Sequence, residues 1–266
     1  MRFKFGENWE SYSARINDEH IDASMQKMNF FLEDKCYGAS FIDIGCGSGL
    51  HSLSAIRLGA SEVYSFDYDL DSVKTTQNVK DRFEPNNQNW HIERGDALDH
   101  KYMEQLGQYD IVYSWGVLHH TGSMWKAIEN SLSLVKHNGY FFIAIYNNQG
   151  WKSKFWWFVK YFYNILPNGL NKIYAIFLGS FFHMINIFKY TVLLNPMKAI
   201  RPLLNYQKDR GMSIFHDIID WYGGFPYEYA SVDELNSFFI KHGFEVVKVK
   251  ETPSLGCNEV LYIKVS

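Results

Sequence analysis

Three glycines at alternate positions, Gly45, Gly47 and Gly49, follow the apolar run Phe41-Ile-Asp-Ile44 and precede a helix-like stretch. Only glycine lets the backbone come this close to a ligand at a sharp strand-to-helix turn. The spacing is G-x-G-x-G, whereas a dinucleotide fingerprint wants its third small residue where Leu50 stands, so no pyrophosphate is required. Asp67 ends the next apolar run, 22 residues after Gly45, where a carboxylate can accept both hydroxyl hydrogens of a ribose. Asp96, in Gly95-Asp-Ala97 after the third run, can accept from an adenine amino group, with Ala97 leaving room beside the ring. Taken singly, these features also read as a tight turn, a solvated strand-end acid and a plain turn aspartate. Their order joins them, because each falls at the end of a successive strand, where open α/β sheets bind ligands.

Two further clusters can move protons. His119 and His120 follow the fourth apolar run, at the same sheet edge, and suit a base or a hydrogen-bond donor as well as they suit packing or a helix cap. His216, Asp217 and Asp220 lie in a glycine- and aromatic-rich stretch. If Ser213 to Tyr222 is helical, His216 and Asp220 share a face by i,i+4 spacing while Asp217 turns aside. That geometry fits a base with an orienting acid, a salt bridge, or two ligands of a metal; with no third ligand placed, no metal is expected.

The elements needed to hold these residues are visible in the alternation of short apolar runs and helix-like stretches. Strands are expected at Phe41 to Ile44, Val63 to Phe66, Trp90 to Glu93, Ile111 to Ser114 and Tyr140 to Tyr146. Helices are expected at Gly49 to Leu58, Leu70 to Val79, His100 to Leu106 and Gly122 to Val135. Right-handed crossovers then give a doubly wound α/β sheet. After Asn148 the pattern breaks, and it resumes at Ser231, where Ser-Val-Asp-Glu reads as a helix N-cap with acids in the first turn. That helix ends near Gly243, and strands follow at Phe244 to Val249 and Glu259 to Val265, for a mostly parallel seven-stranded sheet. The expected division is an N-terminal helical lid over 1–37, a ligand-binding core over 38–150, a helical insertion between the fifth strand and the last helix over 151–230, and a closing helix and strands over 231–266.

The motifs Ile42-Asp-Ile-Gly-Cys-Gly-Ser-Gly49, Phe66-Asp67, Gly95-Asp96-Ala97, Tyr109-Asp-Ile-Val112 and Ser114-Trp-Gly-Val-Leu-His-His-Thr121 together resemble class I S-adenosylmethionine-dependent methyltransferases. The resemblance implies S-adenosyl-L-methionine as cofactor, held by Asp43, Gly45, Cys46, Gly47, Gly49, Asp67, Asp96, Ala97 and Ser114, with Trp9 as a lid residue. It leaves His119, His120, His216 and Asp217 as catalytic candidates. Phe5-Gly-Glu-Asn-Trp9, Ala144-Ile-Tyr-Asn147 and the stretch from Gly211 to Pro226 look like a narrower bacterial and archaeal subgroup named by similarity to ubiquinone-pathway methylases. By resemblance, then, the acceptor is expected to be a small molecule, with a glycan precursor hinted at; methylation on oxygen is expected, and the basic segment after Asn148 suits a nucleotide-linked or phosphorylated acceptor. A quinone-like or lipid-linked acceptor at a membrane, and a catalytically silent cofactor-binding scaffold, stand as alternatives.

Charge is uneven along the 266 residues. Between Trp151 and Lys208 there are eight Lys or Arg and no Asp or Glu, which leaves 18 basic against 29 acidic residues elsewhere, about −11. Residues 151–190 also hold 14 aromatic side chains. Such a segment suits a cap over an anionic acceptor, a subunit contact in a homo-oligomer, or peripheral membrane contact through residues 151–196. The stretch Ile173 to Leu194 is long enough to span a bilayer, yet Ser180, His183, Asn186 and Lys189 interrupt it. Nucleic acid is not expected, since the segment is more apolar than cationic and the remainder would repel phosphates. Three distant cysteines, Cys36, Cys46 and Cys257, and a start without an apolar leader favour a cytoplasmic location.

Overall fold

The apolar runs form strands, and all seven lie in one sheet. The computed structural model describes residues 9, 12–204 and 214–265, leaving out the side chains of 202–204, 214–217 and 220. The strands are β1 (Ser40–Ile44), β2 (Glu62–Asp67), β3 (Trp90–Arg94), β4 (Tyr109–Trp115), β5 (Val135–Tyr146), β6 (Phe244–Lys250) and β7 (Cys257–Lys264). Their order is β3-β2-β1-β4-β5-β7-β6, with β7 antiparallel to both neighbours and the other pairings parallel. The order reverses between β1 and β4, and a crevice at the C-terminal ends of these strands is where such sheets take ligands.

Helices cover both faces, which is why β1 carries apolar residues on both: Phe41 on one side and Ile42 and Ile44 on the other are buried. One face packs α1 (Asp18–Leu32), α2 (Leu50–Arg57) and α3 (Leu70–Phe83) through Met28, Phe31, Leu53 and Val79 against Phe41, Tyr113 and Phe142. The other packs α4 (His100–Gln105), α5 (Met124–Leu132) and α10 (Val232–Lys241) through Met103, Ile128, Leu235 and Phe239 against Val112, Phe141 and Tyr262. Asn17 caps α1 through the His20 amide, and Ser231 and Glu234 form a reciprocal capping box on α10. Of the N-terminal segment expected to be a lid, residues 18–32 are thus a core layer, buried through Ile21, Met28 and Leu32.

Between β5 and α10 the chain forms α6 (Trp151–Ile165), α7 (Leu170–Val192), α8 (Met197–Leu204) and α9 (Ile214–Gly223). Residues 155–225 make up one compact unit, and the sheet with its helices makes up the other. Within the former, Gly179 of α7 lets Ile218 of α9 approach, since a Cβ there would lie 3.0 Å from Ile218 Cδ1. Phe162 meets Tyr174 at 5.5 Å and Trp156 meets Phe182 at 5.6 Å, ring centre to ring centre, so α6 and α7 run back along each other.

Candidate functional site

Gly45 and Gly47 leave β1 with φ of +77° and +53°, a region where an L side chain is strained. Space is also closed: a Cβ on Gly45 would stand 2.3 Å from Val117 Cγ1, and one on Gly47 would stand 3.2 Å from the Trp9 ring. The amides of Gly45 and Cys46 donate to Phe66 O at 2.8 and 3.1 Å, pinning the turn to the end of β2. Thr76 Oγ1 donates toward Cys46 Sγ and Gly47 O, both at 3.2 Å. Cys46 is buried, which pushes its thiol well up and keeps it protonated.

Asp67 joins this turn directly. Its carboxylate accepts the amide hydrogens of Gly47 at 3.0 Å and Asp69 at 2.9 Å, while burial pushes it up to about 6. Asp43 lies beneath, fully enclosed. It accepts from Ser52 Oγ at 2.6 Å, Ser52 accepts from Ser65 Oγ at 2.8 Å, and Ser65 accepts from Trp90 Nε1 at 2.9 Å. Burial pushes Asp43 up to about 7. Asp43 therefore supports the turn from below by linking β1, α2, β2 and β3.

Asp96 accepts from the Leu98 amide at 2.9 Å, and the carbonyl of Ala97 accepts from Asn130 Nδ2 at 2.9 Å, so the β3 turn is tied to α5. Ser114 is buried and donates to Ile44 O at 3.3 Å, which ties β4 to the strand that carries the glycines. Gly45, Gly47, Asp67, Asp96 and Ser114 thus gather along the C-terminal ends of β1 to β4. Trp9 stands beside Gly47, with its ring 6.0 Å from that of Tyr12. A left-handed glycine turn, an acid held by its amides and a second acid one strand further are the donor set that would suit a nucleoside with an amino-acid arm.

His119 and His120 sit on a short 3-10 turn, Leu118–His120, after β4. His119 is buried with its ring centre 4.0 Å from that of Tyr146, at the end of β5. His120 Nδ1 lies 2.7 Å from Pro226 O; a carbonyl only accepts, so Nδ1 carries the hydrogen and Nε2 has the lone pair in the neutral ring. Glu228 holds the same turn: its carboxylate accepts from the amides of Gly122 at 2.9 Å and Met124 at 3.0 Å, at the start of α5, and its own amide donates to His119 O at 3.0 Å. Burial raises Glu228.

For the other cluster, the backbone of α9 bears out a helix around His216, Asp217 and Asp220, but the side chains of all three lie outside the described residues. Among the described residues, no three His, Cys, Asp or Glu group as metal ligands. Sequence reasoning missed Glu228 and Tyr146, and also His51 in the first turn of α2, whose ring centre lies 5.1 Å from that of Tyr113 and 5.8 Å from that of Trp115, tilted to both, and which burial pushes down to about 4. Its place two residues after Gly49 was the available signal.

A family model described as a methyltransferase domain matches residues 18–249. Ribosomal protein L11 methyltransferase of Streptococcus agalactiae is 27% identical over 157 residues, 54% of this chain and 47% of its own length. The chain thus spans about half the length of the curated relatives it matches. Among solved structures, magnesium protoporphyrin IX methyltransferase from Synechocystis with bound S-adenosylhomocysteine covers 99% of this chain and 89% of its own, with a TM-score of 0.53 and 15% identity. An O-methyltransferase family protein from Burkholderia thailandensis covers 92% of this chain and 55% of its own, with a TM-score of 0.55 and 12% identity. These two share the fold. The chain belongs to the methyltransferase-domain family.

Proposed function

We propose that this protein transfers the methyl group of S-adenosylmethionine to an oxygen of a small acceptor that carries phosphate or carboxylate, such as a glycan precursor or nucleotide-linked sugar. The observation that carries the cofactor half is the bond from the Gly47 amide to Asp67, which fuses turn and acid at the end of β1, the strand that borders the point where the order reverses. The backbone of the Gly45–Gly49 turn takes the amino-acid arm, Asp67 accepts from the ribose, and Asp96 with Ala97 meets the adenine. Trp9 closes over Gly47. The bound cofactor supplies a methyl on a sulfonium, open to in-line displacement. The chain's task is to align the acceptor oxygen about 3 Å from that carbon and keep water out.

An alcohol needs a proton acceptor as it attacks. His120 is in the tautomer whose Nε2 can serve, held by Pro226 O, while the buried His119 braces the turn against Tyr146. His216, with Asp217 beside it, is the second candidate for that proton. The basic composition of residues 151–208 supports an anionic acceptor. The subgroup resemblance to ubiquinone-pathway methylases favours a small-molecule acceptor over a protein.

Calorimetry of ligand-free protein with S-adenosylhomocysteine tests the cofactor half; absence of heat overturns it. A labelled-methyl panel of nucleotide sugars, sugar phosphates, quinols and ribosomal protein tests the acceptor. Label found only on the ribosomal protein overturns that half. His120→Ala and His216→Ala are each expected to keep cofactor affinity, and the one that removes the base lowers kcat and abolishes the fall in rate on the acid side of the pH profile.

A further inference from the structure

Helix α7 is apolar on the side it shows to solvent. Its 23 residues include a window of mean hydropathy 1.3 of which only 11% is buried. The packed side holds the small residues Ala175 and Gly179, against which Ile218 lies. The opposite side presents Ile173, Phe177, Phe181, Met184, Phe188 and Val192 at spacings of three and four, all exposed, with Phe177 at 68% and Phe188 at 71%. Helix α6 does the same with Phe155, Phe158, Phe162 and Ile165. A water-facing helix normally puts polar residues on this side; a continuous exposed apolar stripe marks a surface that meets something else.

Charge indicates what that is. Lys152 and Lys154 begin α6, Lys172 begins α7 and Lys189 ends it. Lys189 and Lys198 hold their ammonium groups 5.7 and 5.4 Å from the Tyr190 ring, an aromatic with cations at its rim. No acid occurs between residues 151 and 208, whereas the rest of the chain is strongly acidic. An anionic lipid surface attracts this segment alone, roughly fivefold in affinity for each lysine brought close. A second copy of the segment would bring the same unopposed positive charge. A spanning helix would put Asn171, His183 and Asn186 in hydrocarbon, and the packing of Gly179 on α9 already occupies one side of α7.

We propose that the exposed stripes of α6 and α7 lie in the headgroup region of an anionic phospholipid bilayer, making the protein a peripheral membrane protein. The docking is independent of methyl transfer and is read without cofactor. Its test is co-sedimentation of the full chain with vesicles of phosphatidylcholine, with and without phosphatidylglycerol. The expected result is binding at least roughly tenfold tighter to the anionic vesicles, reversed by high salt. Phe177→Asp with Phe188→Asp should reduce binding to background while the melting temperature by circular dichroism holds, since both side chains are exposed. If that variant melts early, quenching of native tryptophan fluorescence by brominated lipid decides instead, Trp151 being 73% exposed on α6. No partition into anionic vesicles, equal partition of the folded double variant, absence of quenching, or a dimer in light scattering that the double variant dissolves would each overturn the proposal.

Discussion

The Asp67 carboxylate accepts the amide hydrogen of Gly47, 3.0 Å away and twenty residues earlier in the chain. The acid at the end of β2 and the turn at the end of β1 are therefore one rigid piece, preset before any ligand arrives. Replacing Asp67 by Ala removes both the ribose acceptor and the brace on the turn. Hydrogen bonds to a charged group contribute about 1.5–3 kcal/mol each, so S-adenosylhomocysteine affinity should fall by at least roughly tenfold in calorimetry. Asp67→Asn, which retains one acceptor oxygen, should fall less.

Binding should also depend on pH. The ribose hydroxyls donate to an ionised Asp67, and burial has raised that group to about 6 in the ligand-free protein. Below that value a proton must leave before the cofactor binds. Affinity should be flat above pH 7 and weaken by roughly tenfold per unit well below 6, with proton uptake by buffer visible in calorimetry. Asp67→Asn should flatten the profile.

Asp43 makes a stability prediction of definite sign. Its carboxyl is raised to about 7, so the folded chain holds this proton more tightly than the unfolded chain does. The stability it contributes is complete below the unfolded carboxylate value and is lost as pH rises through 7. Asp43→Asn removes that loss. Relative to the native protein, the variant should gain melting temperature from pH 5 to about pH 7 and then level off; a constant difference from pH 5 upward would show that Asp43 titrates like an exposed acid.

Gly45→Ala should be severe. The residue sits at φ +77°, and the new methyl would stand 2.3 Å from Val117 Cγ1. Left-handed strain costs about 1–2 kcal/mol and overpacking about 1–3 kcal/mol more, which denaturant unfolding can measure. Adding Val117→Ala should recover the overpacking part and leave the backbone strain.

Glu228→Ala strips the start of α5 of an acceptor that serves the Gly122 and Met124 amides. A lost cap of this kind costs about 1 kcal/mol. Because the same carboxylate holds the Gly122 amide, two residues after His120, turnover should drop more than cofactor affinity does, read as a fall in kcat at unchanged Kd for S-adenosylhomocysteine.

The glycine turn, the acids at 67 and 96 and the parallel strands were legible because each is written locally: an apolar run, then a glycine or an acid, at one spacing. The Ser231 cap was equally local. The beginning of β5 was not. Val135 to Gly139 carries Lys136, His137 and Asn138, breaks register against β4 between Tyr109 and Ile111, and puts Asn138 at φ +61°, so no alternation marks it. The last turn of α3, ending at Phe83 and not Val79, was hidden because Lys80, Asp81 and Arg82 are polar, although they continue the amphipathic face. Glu228 could not have been found, since the amides it satisfies lie 104 and 106 residues away. His119 was read as a possible base from its place after β4, yet that place buries it against Tyr146, and no local pattern reports the neighbour.

Asn147 and Ala230 pair side by side at the tip of β5, and the Asn148 amide reaches Ala230 O at 3.3 Å. Entry and exit of the helical insertion are thus stitched together by the sheet itself, with Asn258 Nδ2 bonded to both Asn147 Oδ1 and Ala230 O. Whatever sits beyond that stitch can be exchanged as a cassette. The segment returns to the point it left, so its length can vary without moving β5, provided Pro226 and Glu228, which hold His120 and the start of α5, stay with the sheet.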